Sequence, residues 1–175
     1  MKITASLIVA AIFATPLAFT AHAETAPGFS AEQLGGGKFN LNKALESGYV
    51  MLHFWDTCCP GCREALPAVE KVKRSGCDSL TIIGISTDSP KTQSKIKPFL
   101  KSNSYTFSVL LDPNLEIRKL FGGTENPLTI LISPSGEVLM RRMGTAPDEE
   151  TVLLKEILSQ LNRESQLNSP EQESH

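Results

Sequence analysis

An α/β sandwich around a mixed sheet is the fold that this sequence predicts, and three observations predict it. Short apolar runs rich in β-branched residues recur at Tyr49–Trp55, Leu80–Ser86, 107–111 and Leu128–Ile132. Segments with helical spacing of apolar residues lie between them. Pro134-Ser135-Gly136 then reads as the tight turn of a hairpin, and an amphipathic segment follows. Strands alternating with helices imply parallel pairing, and a hairpin adds antiparallel neighbours. No internal repeat or linker divides the pattern, so one domain is expected.

Residues 1–23 have the marks of a signal peptide. Lys2 gives a positive start, residues 3–19 are apolar apart from Thr, Ser and Pro16, and Ala21-His22-Ala23 supplies a small-x-small site. Cleavage is expected between Ala23 and Glu24. As a membrane span the run is marginal, and no cysteine near its end offers a lipid anchor. Export faces the thiols with an oxidising, periplasmic compartment. Residues 24–38 read as a loop-like lead-in ending in Gly35-Gly36-Gly37. No Gly-Lys-Ser/Thr follows, which excludes a phosphate loop.

The remaining elements follow in order. Tyr49–Trp55 is a continuous apolar run, the pattern of a strand buried on both faces. Residues 60–74 place Leu66, Val69 and Val72 on one helical face with charged residues between them. Leu80–Ser86 is a second buried strand. Residues 90–102 read as a helix with Ile96, Phe99 and Leu100 inward, 107–111 as a strand, and 113–121 as a short helix closed by Gly122-Gly123. Leu128–Ile132 and 137–143 form the hairpin arms. Residues 149–161 read as a helix with Val152, Leu153, Ile157, Leu158 and Leu161 on its inner face. The domain is expected over 39–165, and 166–175 is expected to be a frayed polar tail.

Composition narrows the function classes. The 175 residues are 41% hydrophobic and 21% charged, as in a soluble globular chain. Net charge is -2, from 17 Lys+Arg against 19 Asp+Glu, and there is no basic block. A phosphate-contacting face for nucleic acid is therefore not expected.

Of the 4 cysteines, three cluster in Trp55-Asp56-Thr57-Cys58-Cys59-Pro60-Gly61-Cys62-Arg63, where a predicted strand runs into a predicted helix. Cys59 and Cys62 are spaced for a disulfide across one turn. Free N–H groups and the positive end of the helix stabilise a thiolate at Cys59. Pro60 suits the first helical position, where its missing N–H costs nothing. Cys62, further in, is suited to resolve a mixed disulfide. A zinc site would need two more ligands from Cys58, Cys77 and His53, with Cys58 and Cys59 awkwardly adjacent. A c-type haem site needs His where Arg63 stands. A purely structural bridge of this span stabilises little. Redox chemistry is the expected use. No metal and no cofactor is expected.

These residues resemble the thioredoxin superfamily, and most its exported TlpA/ResA/CcmG-like branch of thiol-disulfide oxidoreductases. The likeness runs from about Phe39 to Leu161. It rests on Phe54 to Glu64, Leu66-Pro67, Val109-Leu110-Leu111-Asp112-Pro113, Asn126-Pro127-Leu128-Thr129-Ile130-Leu131-Ile132 and Ser133 to Val138. It implies a thioredoxin-like three-layer sandwich, a mixed central sheet flanked by helices. It implies a cis peptide bond before Pro127, which would face the Cys59–Cys62 pair, with the Asn126 backbone holding a substrate chain. Trp55 is expected to line the same site. Pro67 is expected to break the first long helix's hydrogen-bond ladder back to Arg63 and kink it, as in the family. The chain departs from its relatives in three places. Cys58 stands where Trp is usual, Ala65 where an acid is common, and His53 where thioredoxin has a buried Asp. His53 is expected either to pack in the core or to relay protons to Cys62.

The resemblance implies an exported enzyme that exchanges disulfides with protein substrates. The Pro60-Gly61 dipeptide, which offers no imidazole to stabilise the thiolate further, points to a reductase. Its electron donor would be a membrane thiol transporter of the DsbD type, and its clients would belong to cytochrome c maturation. A monomer, with no contact to the membrane beyond export, is expected. Two alternatives stand beside this. A copper chaperone of the Sco kind could use Cys58-x-x-x-Cys62, with His175 as the one later histidine. A thiol peroxidase would need Thr three residues before its reactive cysteine, where this chain has Asp56. Cys58 and Cys77 are not expected to bridge, because a helix of roughly 20 Å lies between them. Cys77 is expected to be a small buried hydrophobe or a free thiol.

Overall fold

The computed structural model describes residues 24–146 and 148–167, so the expected leader and the tail from residue 168 lie outside the described residues. In chain order the elements are β1 (Ser30–Glu32), β2 (Lys38–Asn40), α1 (Leu41–Leu45), β3 (Tyr49–Trp55) and α2 (Pro60–Arg74). Then come β4 (Leu80–Ser86), a 3-10 turn (Gln93–Lys95), α3 (Ile96–Ser102), β5 (Ser108–Leu111) and α4 (Glu116–Leu120). β6 (Leu128–Ile132), β7 (Val138–Met143) and α5 (Glu149–Leu167) complete the described chain.

The central sheet has strand order β5-β4-β3-β6-β7. β3, β4 and β5 are parallel, and β6 and β7 each run antiparallel to the strand before them in that order. Alternation along β3 sends Met51 and Trp55 into a core shared with α2, α3 and α5. Val50, Leu52 and Phe54 go into a second core with α1, α4 and the β1–β2 hairpin. The result is three layers, with β3 central and buried on both sides. That is why its sequence reads as an unbroken apolar run.

Gly84 on β4 pairs with His53 in the register. A Cβ there would lie 2.7 Å from the Phe107 ring and 3.0 Å from Trp55 Nε1, so only glycine lets both rings approach the strand. Gly136 holds φ +86 in the turn between β6 and β7, where its N–H bonds Ser133 O at 2.9 Å.

Three features differ from the sequence expectation. The 24–38 segment is not a plain loop. It contains β1, the hairpin turns back at Gly36 and Gly37, and backbone bonds from Ala26 N to Gly136 O (2.8 Å) and Leu34 N to Val109 O (2.9 Å) dock it on the sheet. α1 was not expected either. Asn40 caps it by accepting from Lys43 N at 2.9 Å, while Leu41 and Leu45 are buried. On α5 the buried face is Leu153, Ile157 and Leu161, spaced by four, whereas Val152 and Leu158 are exposed. α2 continues through Pro67. No helix among the described residues is long and apolar enough to cross a membrane.

Candidate active site

β3 ends at Trp55, the chain turns over Asp56 to Cys59, and α2 starts at Pro60. Cys59 is the N-cap of α2, in extended conformation, and its sulfur accepts a hydrogen bond from Cys62 N at 3.0 Å. That contact aims a free N–H of the helix's first turn at the atom where thiolate charge develops. Cys59 and Cys62 are joined in a disulfide, with Cα atoms 5.3 Å apart. Cys59 is half-buried and Cys62 fully buried. The Asn126-Pro127 bond is cis. The Asn126 carbonyl oxygen lies 3.8 Å from Cys59 Sγ, and a Cβ on Gly61 would sit 3.6 Å from the Pro127 ring. The proline loop therefore lies against the Cys-Pro-Gly-Cys turn, and sequence positions 59 and 126 meet in space.

Two carboxylates that the sequence reading did not single out fix this turn. Asp88, almost fully buried just beyond the end of β4, accepts from Thr57 N (3.0 Å), Thr57 Oγ1 (2.6 Å) and Ser86 Oγ (3.0 Å). Asp56 accepts from Cys58 N (2.8 Å) and from Asn126 Nδ2 (3.1 Å). Asn126 Nδ2 also donates to Thr87 Oγ1 at 2.6 Å. Arg63 Nη2 donates to Thr57 O at 2.9 Å. Asp56 thus joins the cysteine turn to the proline loop, and Asp88 clamps the turn to β4. Asp88→Ala leaves Thr57 N and Oγ1 without their buried acceptor. The expected loss is about 1–3 kcal/mol of stability, read as a lowered urea midpoint, together with slower disulfide exchange.

His53 is buried on β3, on the Met51 and Trp55 side. Its Nδ1 meets Thr129 Oγ1 at 2.9 Å, and its Nε2 has no hydrogen-bond partner among the described residues. Burial pushes its pKa down to about 4 from 6.5. The unfolded chain therefore binds a proton below pH 6.5 that the native chain refuses until near pH 4. Stability from the neutral ring is present above that window and is lost as pH falls through it. The slope is about 1.4 kcal/mol per pH unit. His53→Asn is expected to flatten that slope, which urea unfolding of both proteins at several pH values between 7 and 4.5 would read. Titratable groups elsewhere are common to both proteins and cancel in the difference.

Trp55 is not where a substrate-contacting residue must be. Its side chain is fully buried, with its ring 5.6 Å from that of Phe99, and this corrects the expectation that it lines the substrate site. Cys58 is an exposed free thiol and Cys77 a half-buried one, with Cys77 Sγ 3.5 Å from Ser79 Oγ. His175 lies outside the described residues. One carboxylate oxygen of Asp56 and the two sulfurs all lie within 4.8 Å of one another, but in this state the sulfurs are bonded to each other.

The AhpC/TSA family model matches residues 23–141. The thioredoxin-like protein YneN of Bacillus subtilis is 29% identical over 128 residues, covering 73% of this chain and 74% of YneN. The thiol-disulfide oxidoreductase ResA of Halalkalibacterium halodurans is 30% identical over 125 residues, covering 69% of this chain and 68% of ResA. StoA from Bacillus subtilis superposes with a TM-score of 0.63 at 23% identity, over 75% of this chain and 97% of that one, a likeness of fold.

Proposed function

Because the chain belongs to the AhpC/TSA family and is a thiol-disulfide oxidoreductase of the ResA kind with a Cys59–Cys62 pair, we propose that it is an exported reductase of protein disulfides. One observation carries the reading. The half-buried Cys59 sits at the α2 N-terminus, the buried Cys62 lies behind it, and the proline loop lies against Cys59.

The Cys59 thiolate attacks a client disulfide, forming a Cys59–client bond and expelling one client thiolate. Cys62 then loses its proton and attacks Cys59 Sγ. The second client thiolate leaves, solvent protonates both client sulfurs, and two electrons have passed to the client. The protein ends as the Cys59–Cys62 disulfide, the state of this structure. The backbone of Asn126, beside Pro127, holds the client strand next to Cys59. His53 packs in the core as a neutral ring. The second role open to it, taking the Cys62 proton, predicts that His53→Asn slows release of the mixed disulfide at neutral pH. Unchanged rates between pH 6 and 8 leave only the packing role.

Re-reduction needs a dithiol donor, which the resemblance suggests is a membrane thiol transporter of the DsbD type. Cytochrome c maturation is the client process it suggests. Residues 1–23 are read as a cleaved signal peptide, 24–38 as the lead-in, 39–165 as the thioredoxin-like domain of a periplasmic monomer, and 166–175 as its tail. Catalysis of insulin reduction with dithiothreitol tests the activity, and no acceleration over dithiothreitol alone would refute it. An intact mass starting at Glu24 tests export, and a mass retaining residues 1–23 would refute cleavage.

A further inference from the structure

We propose that Asp56 sets the redox poise of the Cys59–Cys62 pair: its carboxylate opposes the Cys59 thiolate and makes the dithiol the stronger electron donor. This deepens the reductase reading and rests on it for the direction of electron flow.

Two fields meet at Cys59. The N–H of Cys62, 3.0 Å away at the start of α2, favours the thiolate. The Asp56 carboxylate, within 4.8 Å of both sulfurs, disfavours it, as a like charge at that range does. Asp56 cannot swing away, because Cys58 N and Asn126 Nδ2 hold its two oxygens. Both partners are neutral, and among the described residues no salt bridge reaches Asp56. The guanidinium of Arg63, on the same stretch, is bonded to the Thr57 carbonyl instead. Asp88 is engaged with Thr57 and Ser86, and His53 with Thr129, so each of these titratable groups has its own partner.

The link to redox poise is thermodynamic. Taking up two electrons breaks the Cys59–Cys62 bond and yields two sulfurs, protonated or ionised. Whatever stabilises the thiolate favours the reduced protein and makes the disulfide the better oxidant. A fixed carboxylate acts in the opposite sense. It leaves the uncharged disulfide untouched and penalises the thiolate, so the protein gives electrons away more readily. Asp56 is therefore a positioning residue that also tunes the site, and it takes no proton in this account.

The test compares the full chain with Asp56→Asn and Asp56→Ser, two uncharged side chains of different shape that both keep an acceptor for Cys58 N. The pH dependence of Cys59 alkylation in the reduced protein, read by peptide mass mapping so that the free thiols Cys58 and Cys77 are scored apart, gives the Cys59 ionisation constant. Equilibration with glutathione at pH 8.5 gives the redox constant. Both variants are expected to ionise roughly tenfold more readily and to shift the glutathione equilibrium toward the dithiol, while Asp56→Glu stays near the parent. A purely structural role would move neither constant in that common direction. Unchanged or weakened ionisation in the uncharged variants, or shifts of opposite sign in the two, would overturn the proposal. If one variant fails to fold, the other decides. A strongly oxidising parent would defeat the reductase reading alone, because the Asp56 effect is a difference between variant and parent.

Discussion

Cys62→Ser is expected to accumulate a mixed disulfide between Cys59 and a client, whereas Cys59→Ser accumulates none and loses exchange by on the order of 10³-fold or more. The asymmetry follows from position. Cys59 caps α2 as a half-buried residue with an N–H of the helix aimed at its sulfur, so it meets the client first. Cys62 is fully buried one turn in, reachable by Cys59 but not by a folded client. The Cys62→Ser change removes the thiol behind Cys59 that cleaves the Cys59–client bond, and the intermediate persists. Non-reducing gels and peptide mass mapping read the outcome. Trapping through Cys62 in the Cys59→Ser protein would reverse the assignment. A dominant bridge from Cys58 to Cys62 or Cys77 would show that the extra thiol has displaced Cys59.

Trp55→Ala is expected to cost about 3–5 kcal/mol of stability. The indole is fully buried at the end of β3, tilted against Phe99 at 5.6 Å and held over Gly84. Removing it opens a cavity between β3, β4 and α3 directly beneath the cysteine turn. Its Nε1 has no hydrogen-bond partner among the described residues, so Trp55→Phe forfeits no bond there and is expected to cost less than the alanine change. A urea midpoint shift at constant slope reads both. A loss below about 1 kcal/mol for the alanine variant would mean that the surrounding rings close over the space.

The central sheet was legible because burial on both faces leaves an unmistakable apolar run. β3, β4 and β6 begin and end where the sequence placed them, and α2 begins at the proline that its cap requires. The β1–β2 hairpin escaped notice because three-residue strands are too short to show a period of two. The inner face of α5 was drawn too wide, since Val152 and Leu158 are apolar yet turn outward. The cysteine pair and the proline could be read from local spacing and resemblance. Asp56 and Asp88 could not, because the partners that tie them to the site, Asn126 and Thr57, lie 70 and 31 positions away and nothing local marks those contacts. Trp55 misled for a related reason. Its place beside the motif suggested a surface role, while strand alternation sends the ring into the core. His53, read as either a packed core residue or a proton relay, is buried, and Thr129, the neighbour that orients it, comes from a strand 76 positions on.

The reduction potential of the Cys59–Cys62 pair tests the central claim most directly, that this site donates electrons to client disulfides. Equilibration of the wild-type protein against glutathione or a dithiol buffer at neutral pH gives it in one titration. A reductase requires a value near the thioredoxin range, about −270 mV. A value near about −120 mV, that of a strong periplasmic oxidant, would contradict it.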